Sequence, residues 1–423
     1  MVEGELRESH PIEKKMGILY YCTETEGIDG KLRTTPKDFQ VEEVLLDGRK
    51  IPIDDPNFSL GNSEPGLFTE FVLIKKDIES NNALYKISSS LNRELSDINV
   101  AGTKDKTAYT AQKATIWKIP PEKLSELELE GIVIRSPRTT IYQTFLGDLY
   151  GNHFTIKIRE IDDGKEQISR KVKKIIKEID EFDGIPNYFG HQRFGTRRPI
   201  SHIIGKFLLL GEIEKALHLY ISYTTEDEAE STILARKIFQ ETNDPKETMK
   251  VLPSSMIFEK RILKYLSKKP NDFLGALHIL PKNLQRIFIH AYQSYIWNLT
   301  LSERIRLYGN LSNNPIDELE ENIAILPIIG YKTNLTDNVL SDYAKSLLEK
   351  DDIKLDNFKV KYMPTLRFFG SNRRIALIPE NLSYSIDVDS ENQDFVVIQF
   401  TLKRGSYATV VLRELMKAIP LKY

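Results

Sequence analysis

A change in sequence pattern along the chain constrains its fold more than any other feature. Before about residue 205 the chain alternates between strand-like and helix-like segments, whereas residues 206–372 contain long helical segments joined by acidic connectors. The strand pattern returns at residues 395–402, and a helix pattern follows from residue 408 to about 417. Because strands that alternate with helices are typical of α/β and α+β domains, we predict one such domain interrupted by a helical insertion.

The predicted organisation therefore has three parts. Residues 1–30 form a polar, helical lead-in, residues 31–205 and 373–423 form the discontinuous α/β domain, and residues 206–372 form the insertion. Within the discontinuous domain we expect strands at 67–75, 98–100, 131–134, 154–158 and 395–402, and helices at 81–91, about 165–179 and 408–417.

Composition and charge exclude several classes of protein. The chain has 423 residues, of which 40% are hydrophobic and 28% charged, as is typical of soluble globular proteins rather than disordered ones. Its formal net charge of −2 gives no overall bias toward nucleic acid, so any basic surface must be local. The N-terminal residues are too polar for a signal peptide, and no apolar run approaches the ~18 residues of a membrane span.

The cysteine and histidine content indicates the cellular compartment to expect and whether a metal site is expected. Cys22 is the one cysteine, so no internal disulfide can form, which fits a reducing cytoplasm. The seven histidines are scattered, and no spacing of Cys and His is typical of a zinc site. We therefore expect a cytoplasmic protein with no metal and no membrane contact, for which a monomer suffices.

The segment at residues 101–112 places one carboxylate, Asp105, between Lys104 and Lys106, just after a glycine. The flanking cations favour the ionised form of this carboxylate. An ionised and positioned Asp can act as a nucleophile, a general base or an ion-pair partner. Taken alone, however, a Gly-x-Lys-Asp pattern is more often a solvated turn.

Three further segments carry residues that suit chemistry or RNA binding. Residues 33–43 begin with Arg33 and turn at Pro36 into a predicted strand, so a cation there could pair with an active-site carboxylate. Residues 184–195 set aromatic rings beside amides, a combination that suits a flipped-out base. In residues 404–415, Ser406 could cap the following helix, whose N-terminus could then hold a phosphate.

Each of these segments also has a plainer structural interpretation. The first could be a surface strand start, the second a buried aromatic turn and the third an ordinary helix cap. His191, in the second segment, is more often structural or RNA-facing than an acid–base group. The basic face of the helix around residues 165–177 is usually a solvated surface, and contact with an RNA backbone is the minority interpretation.

The four segments, in this order, resemble the TruD family of tRNA pseudouridine synthases from about residue 30 to 415. The patterns that carry the resemblance are Gly-x-Lys-Asp-x-x-Ala-x-Thr-x-Gln at 102–112, Asn-Tyr-Phe-Gly-x-Gln-Arg-Phe-Gly at 187–195 and Gly-Ser-Tyr-Ala-Thr-x-x-x-Arg-Glu-Leu at 405–415. Residues 291–298, with Arg304 beyond them, resemble a helix of the family's insertion domain. Because independent matches in the same order are improbable by coincidence, the plainer interpretations lose most of their weight.

The resemblance implies a catalytic domain of the pseudouridine synthase type, built on a mixed, largely antiparallel sheet with flanking helices. It assigns the catalytic carboxylate to Asp105, the aromatic ring that packs on the target base to Phe189, and a supporting amide to Asn187. The family's basic partner of the catalytic Asp is usually Lys, whereas the matching position here is Arg33, with Lys31 as the fallback. Arg keeps the charge, but its planar fork can bind a carboxylate bidentately.

The resemblance further implies that the protein isomerises a uridine of tRNA, with uridine 13 as the expected site, and that it needs no metal or other cofactor. Asp105 would act as a nucleophile at the sugar or as a base during elimination, and the sequence leaves both roles open. Further substrate-binding candidates are Gln192, Arg193 and Lys104. Candidate RNA contacts are Lys31, Lys106, Arg197, Arg198, Lys171, Lys174, Arg404 and Ser406.

Other functions remain as alternatives. The same fold could serve a non-catalytic RNA-binding or RNA-chaperone protein, or a pseudouridine synthase that acts on another RNA, although the intact Asp105 segment favours catalysis. A methyltransferase would need a Gly-rich cofactor loop between a strand and a helix, and the sequence has no convincing one. A purely structural protein has only the acidic connectors of the insertion in its favour.

Overall fold

The computed structural model describes residues 6–422, which divide into two compact units. The sheet unit comprises Thr25–Ile176 and Leu377–Ala418, together with Lys422. The helical unit comprises the chain up to Glu24, Lys177–Ala376 and Ile419–Leu421. Both units are therefore discontinuous in sequence, and the assignment of catalytic and inserted domains to particular residue ranges stays a prediction.

The strands and helices of the described residues are numbered in chain order. The strands are β1 (Phe39–Val44), β2 (Phe68–Lys76), β3 (Ile98–Val100), β4 (Tyr109–Trp117), β5 (Ile132–Thr140), β6 (Gly151–Ile158), β7 (Ile185–Pro186), β8 (Glu318–Glu320), β9 (Ile323–Ile328), β10 (Ser371–Arg374), β11 (Ala376–Leu377), β12 (Glu380–Val388) and β13 (Asp394–Lys403). The helices are α1 (Pro11–Lys14), α2 (Ser80–Ser90), α3 (Pro121–Ser125), α4 (Lys165–Glu181), α5 (Ser201–Leu210), α6 (Ile213–Ser222), α7 (Glu230–Thr242), α8 (Pro245–Val251), α9 (Ile257–Leu266), α10 (Phe273–His278), α11 (Lys282–Tyr308), α12 (Val339–Lys350) and α13 (Ala408–Met416).

The sheet unit is built on eight strands in the order β12-β13-β6-β1-β4-β2-β5, with β3 also paired to β4. β1 and β4 run parallel, with Gln40 opposite Tyr109. The other strand pairs of this sheet are antiparallel, and β2 places Lys76 opposite Tyr109. The predicted mixed, largely antiparallel sheet with flanking helices is therefore confirmed.

The two faces of the sheet are covered by different parts of the sheet unit. Along β2, side chains alternate between the faces because a strand has a period of two residues. Phe71 and Leu73 pack with α2 and α3, whereas Val72 and Ile74 pack with apolar residues of the segment that follows β1. β2 is therefore buried on both faces, which leaves little room there for a charged side chain without a partner.

The helical unit is organised around α11, a helix of 27 residues. Its core joins apolar side chains of α5, α6, α9, α11 and α12, and a small antiparallel sheet has the strand order β10-β9-β8. The expected mostly helical texture of residues 206–372 is present, whereas the small sheet was not predicted from the sequence. None of the helices within residues 6–422 combines the length and the apolar character needed to span a membrane.

Most of the expected elements of the sheet unit form close to their predicted positions, and two expectations are wrong. The predicted helical lead-in is largely irregular, since α1 is its only helix between residues 6 and 30, while residues 1–5 lie outside the described residues. Ser406 is not the cap of α13, because that helix begins at Ala408 and its N-cap residue is Tyr407, which makes no side-chain capping bond.

Candidate active site

The parallel pairing of β1 and β4 explains how two distant motifs meet. The segment that begins at Arg33 leads into the start of β1, and the segment with Asp105 leads into the start of β4. Because neighbouring parallel strands begin at the same edge of a sheet, the residues that precede them lie close together. The antiparallel strand β2 ends at this edge too, which places Lys75 opposite Thr110.

Arg33 and Asp105 form an ion pair at this edge. The Arg33 Nη2 donates a hydrogen bond of 2.9 Å to the Asp105 Oδ2, and the exposed fractions of the two side chains are 16% and 42%. The Arg33 guanidinium also lies 4.1 Å from the centroid of the Phe39 ring. The pair holds a carboxylate that still faces solvent, which is the geometry that a nucleophile or a base requires.

The Lys75 side chain holds the loop that carries Asp105 through hydrogen bonds to its backbone. Its Nζ donates a hydrogen bond of 2.6 Å to the backbone carbonyl of Asp105 and one of 2.8 Å to the carbonyl of Ile78. The side chain is buried, and burial lowers the pKa of Lys75 from its ordinary 10.5 to about 8, although the nearby Asp105 charge opposes that shift. Lys75 thus places a titratable cation against the backbone of the residue that carries the carboxylate.

Lys104 is part of the same support, although the sequence suggested that it binds substrate. Its Nζ donates a hydrogen bond of 2.9 Å to the Glu43 Oε2, and both side chains are almost fully buried. The backbone of Lys104 exchanges two further bonds of 2.9 Å with the Ser80 hydroxyl. Breaking such a buried pair would leave an uncompensated charge, so Lys104 fixes the position of the residue that precedes Asp105.

The aromatic segment at residues 184–195 belongs to the helical unit. Phe189 is 6% exposed, and its ring packs edge to face against Trp297 with centroids 5.5 Å apart. The Asn298 side chain bonds both backbone groups of Phe189, accepting from its N–H at 2.9 Å and donating to its carbonyl at 3.1 Å. Phe189 therefore has a fixed backbone and a largely buried ring.

Asn187 and Arg373 are joined beside that ring. The Arg373 Nη2 and Nε donate to the Asn187 side-chain and backbone oxygens at 2.6 and 3.0 Å, respectively. The same guanidinium lies 4.2 Å from the centroid of the Phe189 ring, and that of Arg193 lies 5.6 Å from it. Cations over an aromatic face are attracted by the ring quadrupole, so this cluster combines an amide, a ring and two guanidinium groups.

The remaining polar residues of this segment differ in exposure. Gln192 is exposed, Arg193 is half-buried, and His191 is buried with its Nε2 3.1 Å from the Glu13 Oε1. The buried contact with Glu13 gives His191 a structural role, which agrees with the more frequent interpretation of such a histidine.

The candidate RNA contacts fall into two groups. Lys31, Lys171 and Arg198 are engaged with other groups of their own units: Lys31 with Glu160 at 3.3 Å, Lys171 with Asp163 at 2.6 Å, and Arg198 with the carbonyls of Tyr220 and Tyr223 at 3.1 Å each. Lys31 pairs with Glu160, whereas Arg33 pairs with Asp105. The side chains of Lys106, Lys174, Arg197 and Arg404 are exposed, and Ser406 is half-buried.

Lys75, Glu43 and Arg373 were not named among the candidate site residues of the sequence. A signal for Lys75 did exist, because it is a lysine that continues an apolar strand pattern at the end of β2. The bonds of Arg373 to Asn187 join residues 186 positions apart, so no local sequence pattern indicates them. Within residues 6–422, no group of three or more His, Cys, Asp or Glu side chains could hold a metal ion.

The fold matches what the resemblance implied for the pseudouridine synthase class. A sequence model of the family described as tRNA pseudouridine synthase D (TruD) matches residues 15–319 and 316–415. The chain therefore belongs to the tRNA pseudouridine synthase D family, whose activity is that of an isomerase acting in tRNA processing.

Individual relatives align with most or nearly all of this chain. A Methanosarcina barkeri protein described as a probable tRNA pseudouridine synthase D is 32% identical over 445 residues, covering 97% of this chain and 98% of the relative. A Methanopyrus kandleri protein with the same description is 33% identical and covers 83% of this chain and 86% of its own. The crystal structure of a Methanosarcina mazei protein assigned to the same family superposes with a TM-score of 0.78 at 31% identity, covering 98% of this chain and 100% of that one.

Proposed function

We propose that this protein converts uridine 13 of tRNA to pseudouridine and that Asp105 is its catalytic carboxylate. The observation that carries the proposal is the ion pair between Arg33 and Asp105, in which the carboxylate remains 42% exposed. Arg33 pairs with the Asp105 carboxylate and orients it, and the exposed part of this side chain can be reached by the sugar of a bound nucleotide. The match to the TruD family supports tRNA as the substrate.

The reaction is an isomerisation, so it consumes no co-reactant. The bond between N1 of the uracil and C1′ of the ribose breaks, the base rotates, and C5 bonds to C1′. The proton of C5 is lost, and N1 regains one. Asp105 either attacks the sugar as a nucleophile or removes a sugar proton as a base, and in both roles it acts as the carboxylate that pairs with Arg33.

Phe189 is proposed to pack on the target base, with Asn187, Gln192 and Arg193 as neighbouring polar groups. The Arg373 guanidinium already lies over the Phe189 ring at 4.2 Å. Stacking of a base on that side of the ring therefore requires Arg373 to leave it. Since base stacking on an aromatic ring is worth about 1–3 kcal/mol, a base can compete with such a cation.

The test is a single-turnover assay on an unmodified tRNA transcript, with pseudouridine mapped position by position, for wild type and Asp105→Asn. Asparagine keeps the shape but removes the charge, so the variant should lose turnover while its tRNA affinity stays within about twofold of wild type. Arg49→Gln, at an exposed arginine that pairs with Asp47, is the control and should retain full activity. Pseudouridine formed by Asp105→Asn would overturn the catalytic assignment, and product elsewhere than position 13 would overturn the proposed substrate position.

A further inference from the structure

The loop between β5 and β6, residues 141–150, presents large apolar side chains to solvent. The exposed fractions of the four side chains are 58% for Ile141, 69% for Tyr142, 62% for Phe145 and 84% for Leu146. Single exposed apolar residues are normal on protein surfaces, but four within six positions of one loop form a patch. Such a patch calls for a binding partner.

The loop is held in place rather than loosely packed. The Thr144 side chain is 2% exposed, and its backbone N–H donates a hydrogen bond of 3.0 Å to the Thr115 hydroxyl on β4. Asp148 closes a turn by bonding the Phe145 backbone twice, at 2.7 and 3.0 Å. Gly147 has a φ of +95°, which suits the third position of that turn. The aromatic rings are therefore presented on a fixed frame, which lowers the entropy cost of binding.

This loop is attached directly to the segment that carries Asp105. The Gly147 N–H donates a hydrogen bond of 2.8 Å to the Ala101 carbonyl. Since four residues span at most about 14 Å, the Asp105 Cα lies within that distance of the Ala101 Cα. The aromatic loop is thus close enough for one RNA strand to contact it while a nucleotide lies at Asp105.

The charges around the loop favour a polyanion. Arg404 donates a hydrogen bond to the Gly147 carbonyl, and both Arg404 and Lys106 of the Asp105 segment are exposed. The neighbouring Lys403 lies 3.9 Å from the Glu380 carboxylate, which also accepts from the Tyr150 hydroxyl, so these two charges offset each other. The one carboxylate of residues 141–150 is that of Asp148, which already accepts from the Phe145 N–H. Aromatic rings interleaved with cations are the arrangement by which proteins bind unpaired nucleotides.

We infer that residues 141–146 form a stacking surface for the bases that flank the target uridine, with Tyr142 and Phe145 as the stacking rings. This inference rests on the proposed function for the position of the target. The rings hold the neighbours of the uridine while Arg404 and Lys106 contact the phosphates. The RNA strand would thereby be anchored beside the site before the target base leaves its stack.

The test compares tRNA affinity between wild type and the double variant Tyr142→Ala/Phe145→Ala, using an unmodified tRNA transcript. Loss of two stacked bases should weaken the Kd at least about tenfold. The control is Tyr85→Ala on α2, which removes a tyrosine of similar exposure, 63%, and should bind as wild type does. Tyr142→Phe/Phe145→Tyr keeps both rings and should restore affinity.

A second transcript, which lacks the flanking bases, tests whether the loss of affinity comes from stacking. In a transcript with abasic nucleotides on both sides of uridine 13, wild type and the double variant should bind with equal Kd, because no base remains for the rings to hold. An equal Kd on the intact transcript, or an undiminished difference on the abasic one, would overturn the inference and leave the loop as a surface for a protein partner.

The proposed function is tested separately by mapping pseudouridine in the same reactions. Wild type that forms pseudouridine while the double variant binds normally contradicts the stacking surface alone. A different result supports the stacking surface and contradicts the proposed function. In it, wild type forms no pseudouridine, the double variant binds the intact transcript more weakly than wild type, and the two proteins bind the abasic transcript with equal Kd. The two failures therefore give different results.

Discussion

At the scale of single residues, the environment of Asp105 shows how a solvent-facing carboxylate is held. Arg33 has a φ of +58°, in the left-handed region that costs a non-glycine residue about 1–3 kcal/mol. That conformation persists beside an ion pair and a ring contact that both depend on it. Strain of this kind is common where a side chain must be aimed at a reacting group.

The pH dependence of the single-turnover rate should reflect the protonation state of Lys75. Its ammonium is lowered in pKa to about 8 by burial, and the charges that act on it are Asp105, Glu79, Lys104 and Asp77. As the pH rises through 8, Lys75 loses its proton and its charge-assisted hydrogen bond to the Asp105 backbone carbonyl weakens. The loop that positions the carboxylate is then held less firmly, so the single-turnover rate should fall. Lys75→Arg keeps the charge at that pH, and its rate profile should lack the inflection. Identical profiles for the two proteins would contradict this role.

The same titration has a consequence for stability. The unfolded chain keeps the Lys75 proton up to about its ordinary pKa of 10.5, whereas the folded chain releases it near 8. Because the unfolded state then binds more protons, the contribution of Lys75 to the free energy of unfolding rises from pH 8 to 10.5. This rise, measured by denaturant unfolding, should be absent in Lys75→Met, and it checks the titration without using activity.

At the scale of elements, pairing and packing convert separate motifs into local clusters. β1 and β4 bring Arg33 to Asp105, and α11 presents Trp297 and Asn298 to Phe189 within the helical unit. In each cluster a regular element fixes the position of an irregular segment: β1 and β4 fix the segments of Arg33 and Asp105, and α11 fixes the segment of Phe189. This division is common at functional sites, since loops carry chemistry on a rigid scaffold.

The stability of the aromatic segment should depend on Asn298. This fully buried side chain bonds the N–H and carbonyl of Phe189 and the carbonyl of Met16. Asn298→Ala leaves these backbone groups without their partner, so we expect the free energy of unfolding to fall by about 2–4 kcal/mol. Asn313→Ala, at an exposed asparagine of the same unit with one bond, should change it by less than about 1 kcal/mol. Similar losses in the two variants, measured by thermal or denaturant unfolding, would contradict the argument.

At the scale of the whole molecule, the net charge of −2 means that overall charge does not attract tRNA. We therefore expect tRNA binding to depend on local cations, and the proposed contacts Lys106, Arg197 and Arg404 are exposed. Arg197 belongs to the helical unit, and Lys106 and Arg404 belong to the sheet unit.

Affinity for tRNA should therefore depend strongly on salt. Three phosphate contacts would weaken the Kd about 20- to 40-fold between 50 and 200 mM salt, because each contact releases a counterion. Lys106→Ala should lower the slope of log Kd against log salt by about 1, whereas Lys250→Ala, at an exposed lysine paired with Glu247, should leave it unchanged. A slope near zero for wild type would contradict binding through phosphates.

The sequence by itself determined the element types and the motifs. Strands β2, β6 and β13 and helices α2, α4 and α13 follow from apolar periodicity, because that signal depends on residues a few positions apart. The motif around Asp105 and the partner position Arg33 could also be identified from the sequence, through the family resemblance. The bonds of Lys75, Lys104 and Arg373 could not.

Only the tertiary structure decided which of these side chains meet. Lys104 stands in a polar motif and looks solvent-facing, yet it is buried against Glu43, 61 residues earlier in the chain. Arg33 and Asp105 are 72 residues apart and meet because two strands pair in parallel. Periodicity records which face of its own element a residue occupies. Strand pairing and helix packing determine what lies opposite that face, and they are properties of the whole chain rather than of any local segment.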